Sequence, residues 1–199
     1  MKRIFTFLIV FGNLTSYCQD YTIHINDSTY EISLDKKYDV VVKGKKISFS
    51  VSSHDMLNYL DPTCSFMYHK EMMPSKAKIQ ENVDQLTVIT AEGNGFVVQE
   101  YHTTNPTSLN EFMLTEITKE SVGYGFTSVR KDYKRTLKSG QSINVCKAEL
   151  TYKDKIYTYE VASMGKKDAG IMIVTMLLSG NIGKGKASID LFWDTFQYK

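Results

Sequence analysis

Residues 170–196, GIMIVTMLLSGNIGKGKASIDLFWDTF, constrain the fold more than any other stretch. They read as an apolar strand over 171–178, a loop of glycine and lysine, and a short amphipathic helix. Ser188 is placed to cap that helix, and Ile189, Phe192, Trp193 and Phe196 fall at i, i+3, i+4 and i+7, so all four should dock on a sheet. The loop imitates a phosphate-binding motif, Gly180-x4-Gly185-Lys186. Three features speak against that chemistry. Position 187 is Ala, where magnesium ligation needs Ser or Thr. Only 13 residues follow Lys186, too few for a second metal-binding strand, and the preceding elements are hairpins rather than β–α–β units. The stretch is read as the closing strand and helix of a small sandwich.

The other end sets the compartment. Lys2 and Arg3, the apolar run 4–11 and the small polar residues up to Cys18 have the layout of a secretory signal peptide, with cleavage before Gln19. The run is far short of the roughly 20 apolar residues a membrane-spanning helix requires. Lipidation at Cys18, anchoring the protein to the envelope, is the alternative, and Tyr17 in front of the cysteine opposes it. Removing Lys2 and Arg3 from 24 basic residues leaves 22 against 22 acidic ones, so the mature chain is formally neutral. A neutral chain lacks the overall field that draws a protein to nucleic acid or an anionic membrane. Residues 19–199 are long enough for one self-sufficient domain. Cys64 and Cys146 remain after export, as a disulfide or as two buried thiols.

Short alternating runs at 21–25 and 30–34 predict strands, and 39–43 and 47–51 predict a hairpin with a lysine-rich tip at 43–46. Residues 54–62 read as loop with at most a helical turn, 64–68 as a strand, and 75–84 as a polar loop. The segment 92–95, Glu-Gly-Asn-Gly, joins strands at 86–91 and 96–102. Ser108 with Glu111 forms a capping box for a helix over 108–122, whose Leu109, Phe112, Met113 and Ile117 share one face, with Gly123 and Gly125 ending it. A strand over 127–137 follows, and 143–152 pairs with 156–163 across 153–155. Many antiparallel strands with two helices make an α+β fold.

This order, with early hairpins, a helix near 108, a meander and a closing helix ending Phe192-Trp193-Asp194-Thr195-Phe196, resembles the PsbP superfamily. That superfamily includes the extrinsic photosystem II subunit, DcrB-type envelope proteins and the yeast Ran-binding import factor. The resemblance runs over roughly 47–196. It implies an antiparallel sheet sandwiched by helices (α/β/α), here preceded by extra N-terminal hairpin strands, and a binding or assembly role rather than catalysis.

No catalytic, cofactor or metal motif is present in the sequence. His24, His54, His69 and His102 are isolated, without an HExxH, CxxC or His-x-His spacing, and Ser53-His54-Asp55 are adjacent residues that cannot relay a proton to one another. Two features suit a protein partner. Arg130, Lys131, Lys134 and Arg135, with Lys138 beyond, concentrate positive charge on one strand, which also fits an edge strand protected by lysines. Tyr152, Tyr157 and Tyr159 form an aromatic patch on the 153–155 hairpin, or else a face covered by the last helix. Met67, Met72 and Met73 could line a groove or fill the core. The sequence therefore points to an exported, periplasmic or secreted, non-enzymatic protein that binds a protein partner. A small-molecule or lipid carrier with an apolar cavity between sheet and helices is the alternative.

Overall fold

The computed structural model describes residues 21–25, 27–178 and 182–199. The signal segment, Cys18 and Gly180 of the phosphate-loop imitation lie outside the described residues. The chain divides into two units, one ending at His54 and the other spanning Asp55–Lys199.

The first unit consists of two hairpins. Strand β1 (Tyr21–Ile25) pairs antiparallel with β2 (Ser28–Ile32), and β3 (Lys37–Val42) with β4 (Lys45–Ser50). The lysine-tipped turn is two residues, Lys43 and Gly44, both at positive φ, the backbone that matches the strand twist of a tight hairpin. Tyr38 and Phe49 stack at 5.9 Å across this hairpin.

The second unit carries β5 (Met56–Leu60), β6 (Cys64–His69), β7 (Ser75–Gln80), β8 (Val83–Ile89), β9 (Gly95–Tyr101), a 3-10 turn (Pro106–Ser108) and α1 (Asn110–Gly123). After these come β10 (Thr127–Arg130), β11 (Tyr133–Thr136), β12 (Ser142–Tyr152), β13 (Lys155–Lys166), β14 (Ala169–Leu177), α2 (Ile182–Thr195) and β15 (Gln197–Tyr198). The large antiparallel sheet runs β10-β12-β13-β14-β9-β8-β7, with β11 continuing the β10 edge along β12. A second sheet runs β15-β6-β5.

Successive residues of the central strands serve two separate cores. Ile171 and Ile173 of β14 pack in the cluster built around Phe192, Trp193 and Phe196, whereas Met172 and Val174 join the cluster around Leu114 of α1. A strand buried on both faces cannot alternate apolar with polar, which is why 171–178 is so nearly continuous in apolar residues. In the first cluster Phe192 stacks on Phe96 at 4.1 Å and meets Phe66 of the small sheet edge-on at 5.1 Å. Thr195 adds a polar tie, its hydroxyl accepting the Met67 N–H at 2.9 Å.

Several expectations are corrected. Residues 56–60 are a strand, with Leu57 and Tyr59 turned inward and Asn58 outward. Residues 75–80 are also a strand. It is wholly exposed at the sheet edge, so no apolar alternation marks it in the sequence. Ser108 does not cap α1. It closes the 3-10 turn, which Asn105 caps by accepting the Thr107 N–H at 3.1 Å, and Leu109 precedes the helix with no side-chain cap. Phe112 is 65% exposed, and Leu114 holds the inward position instead. The strand expected over 127–137 is two strands, because the Asp132 carboxylate takes the Lys147 N–H at 2.9 Å that a main-chain carbonyl would otherwise accept.

Helix α2 starts at Ile182, so Gly183, Gly185 and Lys186 are helical and Ser188 lies inside it, buried beside the Met72 sulfur. A Cβ at Gly185 would meet the Asn94 Cβ at 2.3 Å. This glycine serves close helix approach, not a phosphate cradle. The last aromatic docks as expected, and two residues beyond it pair with β6 as β15.

Phe192→Ala is expected to cost about 3–5 kcal/mol in urea unfolding, the range for truncating a fully buried aromatic. Phe112→Ala is expected to cost less than about 0.5 kcal/mol, as for an exposed site.

Candidate functional site

Alternation splits the basic strand. Arg130 and Lys134 pair with Ala148 and Asn144, and Lys131, Tyr133 and Arg135 turn to the other face with Lys147, Val145 and Ile143. Most of the charge is paired. Arg130 binds Asp132 through two contacts, at 3.0 and 2.7 Å, and this guanidinium holds the aspartate below the usual carboxylate range. Lys131 reaches Glu149 at 2.8 Å. The strands sit at the edge of the sheet, so the lysine-protected-edge arrangement is present.

Arg135 belongs to a junction where α2 meets the sheet. Its guanidinium lies 4.6 Å from the centre of the Trp193 ring and donates to the Tyr133 hydroxyl at 2.6 Å. That hydroxyl donates in turn to Glu160 at 3.0 Å, and Lys147 stands 3.3 Å from the other oxygen of the same carboxylate. A buried glutamate thus gathers two cations and a phenol, and the planar guanidinium stacks on the indole as an ammonium could not. A 160 Å³ depression beside it is lined by Arg135, Lys147, Glu160, Thr175, Lys186 and Asp190, among others.

Beyond α2 the same sheet face is open. Val129 and Ile156 are 51% and 53% exposed, with Glu149 and Thr151 between them by register and Lys131 beyond Val129 along the edge. Sequence reasoning missed this strip because its apolar members come from different strands. The tyrosines lie on the opposite face. Tyr159 is buried with the α1 cluster, and Tyr157 and Tyr152 flank Phe126, with ring centres at 4.8 and 5.3 Å. The covering helix there is α1, not the terminal one. Cys64 and Cys146 are free thiols in different clusters, Cys64 fully buried with α2 and Cys146 half-buried on the α1 side. Met72 is core, Met67 lines the groove described below, and Met73 is exposed.

A second site was invisible as a motif. Asp61, in the turn between β5 and β6, accepts the N–H groups of Thr63 and Cys64 on Oδ1 at 2.9 and 2.8 Å. Its other oxygen, Oδ2, is sealed from solvent with no donor aligned on it among the described residues. Glu100 reaches it from β9, and donor atoms of Asp61, Cys64 and Glu100 lie within 4.8 Å of one another, as do those of Asp84, Glu100 and His102. His102, isolated in sequence, is brought there because Asp84 pairs with Glu100 across the hairpin and lies 3.1 Å from the imidazole.

Burial, then the neighbouring Asp61, pushes Glu100 up to about 7. Burial also raises Asp61, but the Cys64 N–H, Glu100, Tyr59 and the Thr63 N–H outweigh it and hold that carboxyl low. The Cys64 thiol is pushed up to about 12 by burial and the adjacent carboxylates. The side-chain types are those that bind metals. With Asp61 Oδ1 committed to two N–H groups and the thiol held protonated, the cluster's own chemistry is that of a proton site.

An open groove of about 340 Å³ runs along the small sheet, lined by Tyr59, Leu60, Phe66, Met67, Lys138 and Thr195, among others. No helix among the described residues is long and apolar enough to cross a membrane.

Neither a family model nor a curated protein matches this sequence. Among solved structures, the chain is similar to the solution structure of cyanobacterial PsbP (CyanoP) from Synechocystis sp. PCC 6803. The TM-score is 0.51 at 12% identity, over 75% of this chain and 95% of that one. The chain has a PsbP-like α+β fold, mostly antiparallel sheet with two helices among the described residues.

Two outcomes test this geometry. Glu160→Ala strands Arg135 and Lys147 without their acceptor and is expected to cost about 2 kcal/mol in chemical denaturation, against less than about 0.5 kcal/mol for Glu149→Ala at the more exposed pair. The folded state holds a proton on Glu100 that the unfolded chain releases near 4.5. Its contribution is therefore complete below pH 4.5 and is lost as pH rises towards 7. Denaturation midpoints should fall across that window in the wild type, and Glu100→Gln should flatten the slope.

Proposed function

We propose that this chain is an exported, non-enzymatic accessory protein of the cell envelope, periplasmic or secreted, that binds a protein partner. Its signal peptide is removed after residue 18, and its working body is a PsbP-like sheet with a helix on each face, preceded by N-terminal hairpins. The observation that carries this reading is the open strip beside α2. Apolar Val129 and Ile156 flank the polar side chains Glu149 and Thr151 on an exposed sheet face, with Lys131 between Val129 and the anchored Arg135–Trp193 pair. A mixed surface of that kind, with arginine and aromatic groups at its side, has the composition of a transient protein interface. Tyr152 and Lys134 lie on the α1 side of the sheet, outside this strip.

The carrier reading draws on one feature, the 340 Å³ groove along the small sheet. That groove is open to solvent, and the space between α2 and the large sheet is filled by Phe66, Phe96, Phe192 and Phe196. The partner reading is therefore preferred.

Photo-cross-linking residues placed at 129 and 156 of the full-length protein in its own cells test it. Discrete protein adducts at these two positions, absent when the probe is at 112 on α1, are expected. Labelling at 129 and 156 no greater than at 112 would refute the proposal. A small molecule retained by the native protein in mass spectrometry would favour the carrier.

A further inference from the structure

The Asp61–Glu100 cluster joins the β5–β6 turn and the end of the chain to β9 of the large sheet. On one side is the β5–β6 turn together with the chain's end. The Lys199 N–H donates to the Thr63 carbonyl at 2.9 Å, its ammonium reaches the Asp61 carbonyl, and Tyr198 pairs with Cys64. On the other side is β9, registered along seven residue pairs with both β14 and β8. Two carboxyl groups meet across this boundary, and Asp61 Oδ2 is buried without a donor.

Every charged or titratable group facing the pair has been placed. Lys76 from β7 is 3.9 Å from Glu100 and half exposed. Asp84 from β8 adds negative charge, and His102 from β9 is committed to Asp84. Tyr59 from β5 and Cys64 from β6 are weak acids pushed still higher by burial and by Asp61. Lys199 is spent on a main-chain carbonyl. The Tyr59 hydroxyl also faces Asp61 and helps to hold that carboxyl low, but one ammonium at 3.9 Å cannot neutralise two facing buried carboxylates, so a proton on Glu100 directed at Asp61 relieves the repulsion.

We propose that Asp61 and Glu100 share one proton that latches the β5–β6 turn and the C-terminal residues onto β9, and that losing this proton as pH rises opens that end of the small sheet. The proton leaves Glu100 for solvent, two like charges then face each other, and the element with fewest cross-strand pairs yields. Opening is local because β9 stays fixed by its two neighbours. Opening would expose the buried Cys64 above neutral pH.

Hydrogen exchange of the purified full-length protein between pH 5.5 and 8.5, with EDTA present and intrinsic rates corrected, tests the latch. Protection of the Cys64 and Lys199 amides should fall at least about tenfold between pH 5.5 and 7 and level off above it, as expected for opening linked to one proton, while Val98 in β9 stays constant. In Glu100→Gln, whose amide supplies a permanent donor to Oδ2, protection should stay level. Asp61→Asn, the companion variant should Glu100→Gln fail to fold, should weaken the pH response, because it removes the facing charge while Glu100 stays buried. Constant protection at Cys64 and Lys199 in the wild type would overturn the proposal, as would an identical fall in the folded variants. A pH response that appears only when a divalent cation replaces EDTA would assign the cluster to a metal and overturn it too.

Discussion

The Phe192 ring is the contact on which the rest depends. It lies 4.1 Å from the Phe96 ring, 5.1 Å from Phe66, 5.0 Å from Phe196 and 5.1 Å from Trp193, so one side chain touches the large sheet, the small sheet and its own helix. Each such pair adds about 0.5–1.5 kcal/mol beyond the area it buries. Beyond them the three-stranded sheet is tied to the body by Phe66 edge-on to Phe96 at 5.3 Å, by Thr195 to Met67 and by the carboxyl cluster at Asp61. The glycine at 185 follows from the same requirement, since α2 must come close enough to Asn94 that no Cβ fits.

Where α2 lies also decides what is left open. The helix covers β14, β9 and β6 and ends its reach at Arg135 stacked on Trp193. Outward from that point the sheet face is lined by paired charges and two exposed aliphatic residues. The opposite face, under α1, is closed by Leu114, Tyr159 and the Phe126–Tyr157 stack. One face is therefore committed wholly to stability, and the other is divided between a packed half and an available one. The division is electrostatic as well as steric, because Glu160 collects the cations that would otherwise repel along the edge.

The elements with strong local signals were legible: the hairpin at Lys43-Gly44, the 86–102 hairpin, the 143–163 pairing and the closing aromatic helix all form. What the sequence concealed has physical causes. An edge strand such as 75–80 buries nothing, so hydrophobic periodicity cannot reveal it. The Ser108–Glu111 spacing met the rule for a capping box, but Asn105 and Pro106 form a 3-10 turn ahead of it and Asn110 is drawn into a hydrogen bond from Ser163. The basic run looked like one patch because a linear string does not display the alternation of faces. The carboxyl cluster was least legible, since Asp61, Asp84, Glu100 and His102 meet only through hairpin register and through docking of the small sheet. Counting back from the 92–95 turn would put Thr103 opposite Asp84; Glu100 stands there because the pairing closes at Ile89 and Gly95 instead.

The proposed partner surface is the half of the sheet face beyond α2, and the α1 face is structural. Covalent surface footprinting of the protein inside cells, compared with the purified protein, measures this directly. The account predicts that Val129, Lys131 and Ile156 lose labelling in cells while Phe112 and Tyr124 on the α1 side keep theirs. Unchanged labelling at the strip, or protection confined to Phe112 and Tyr124, would contradict it.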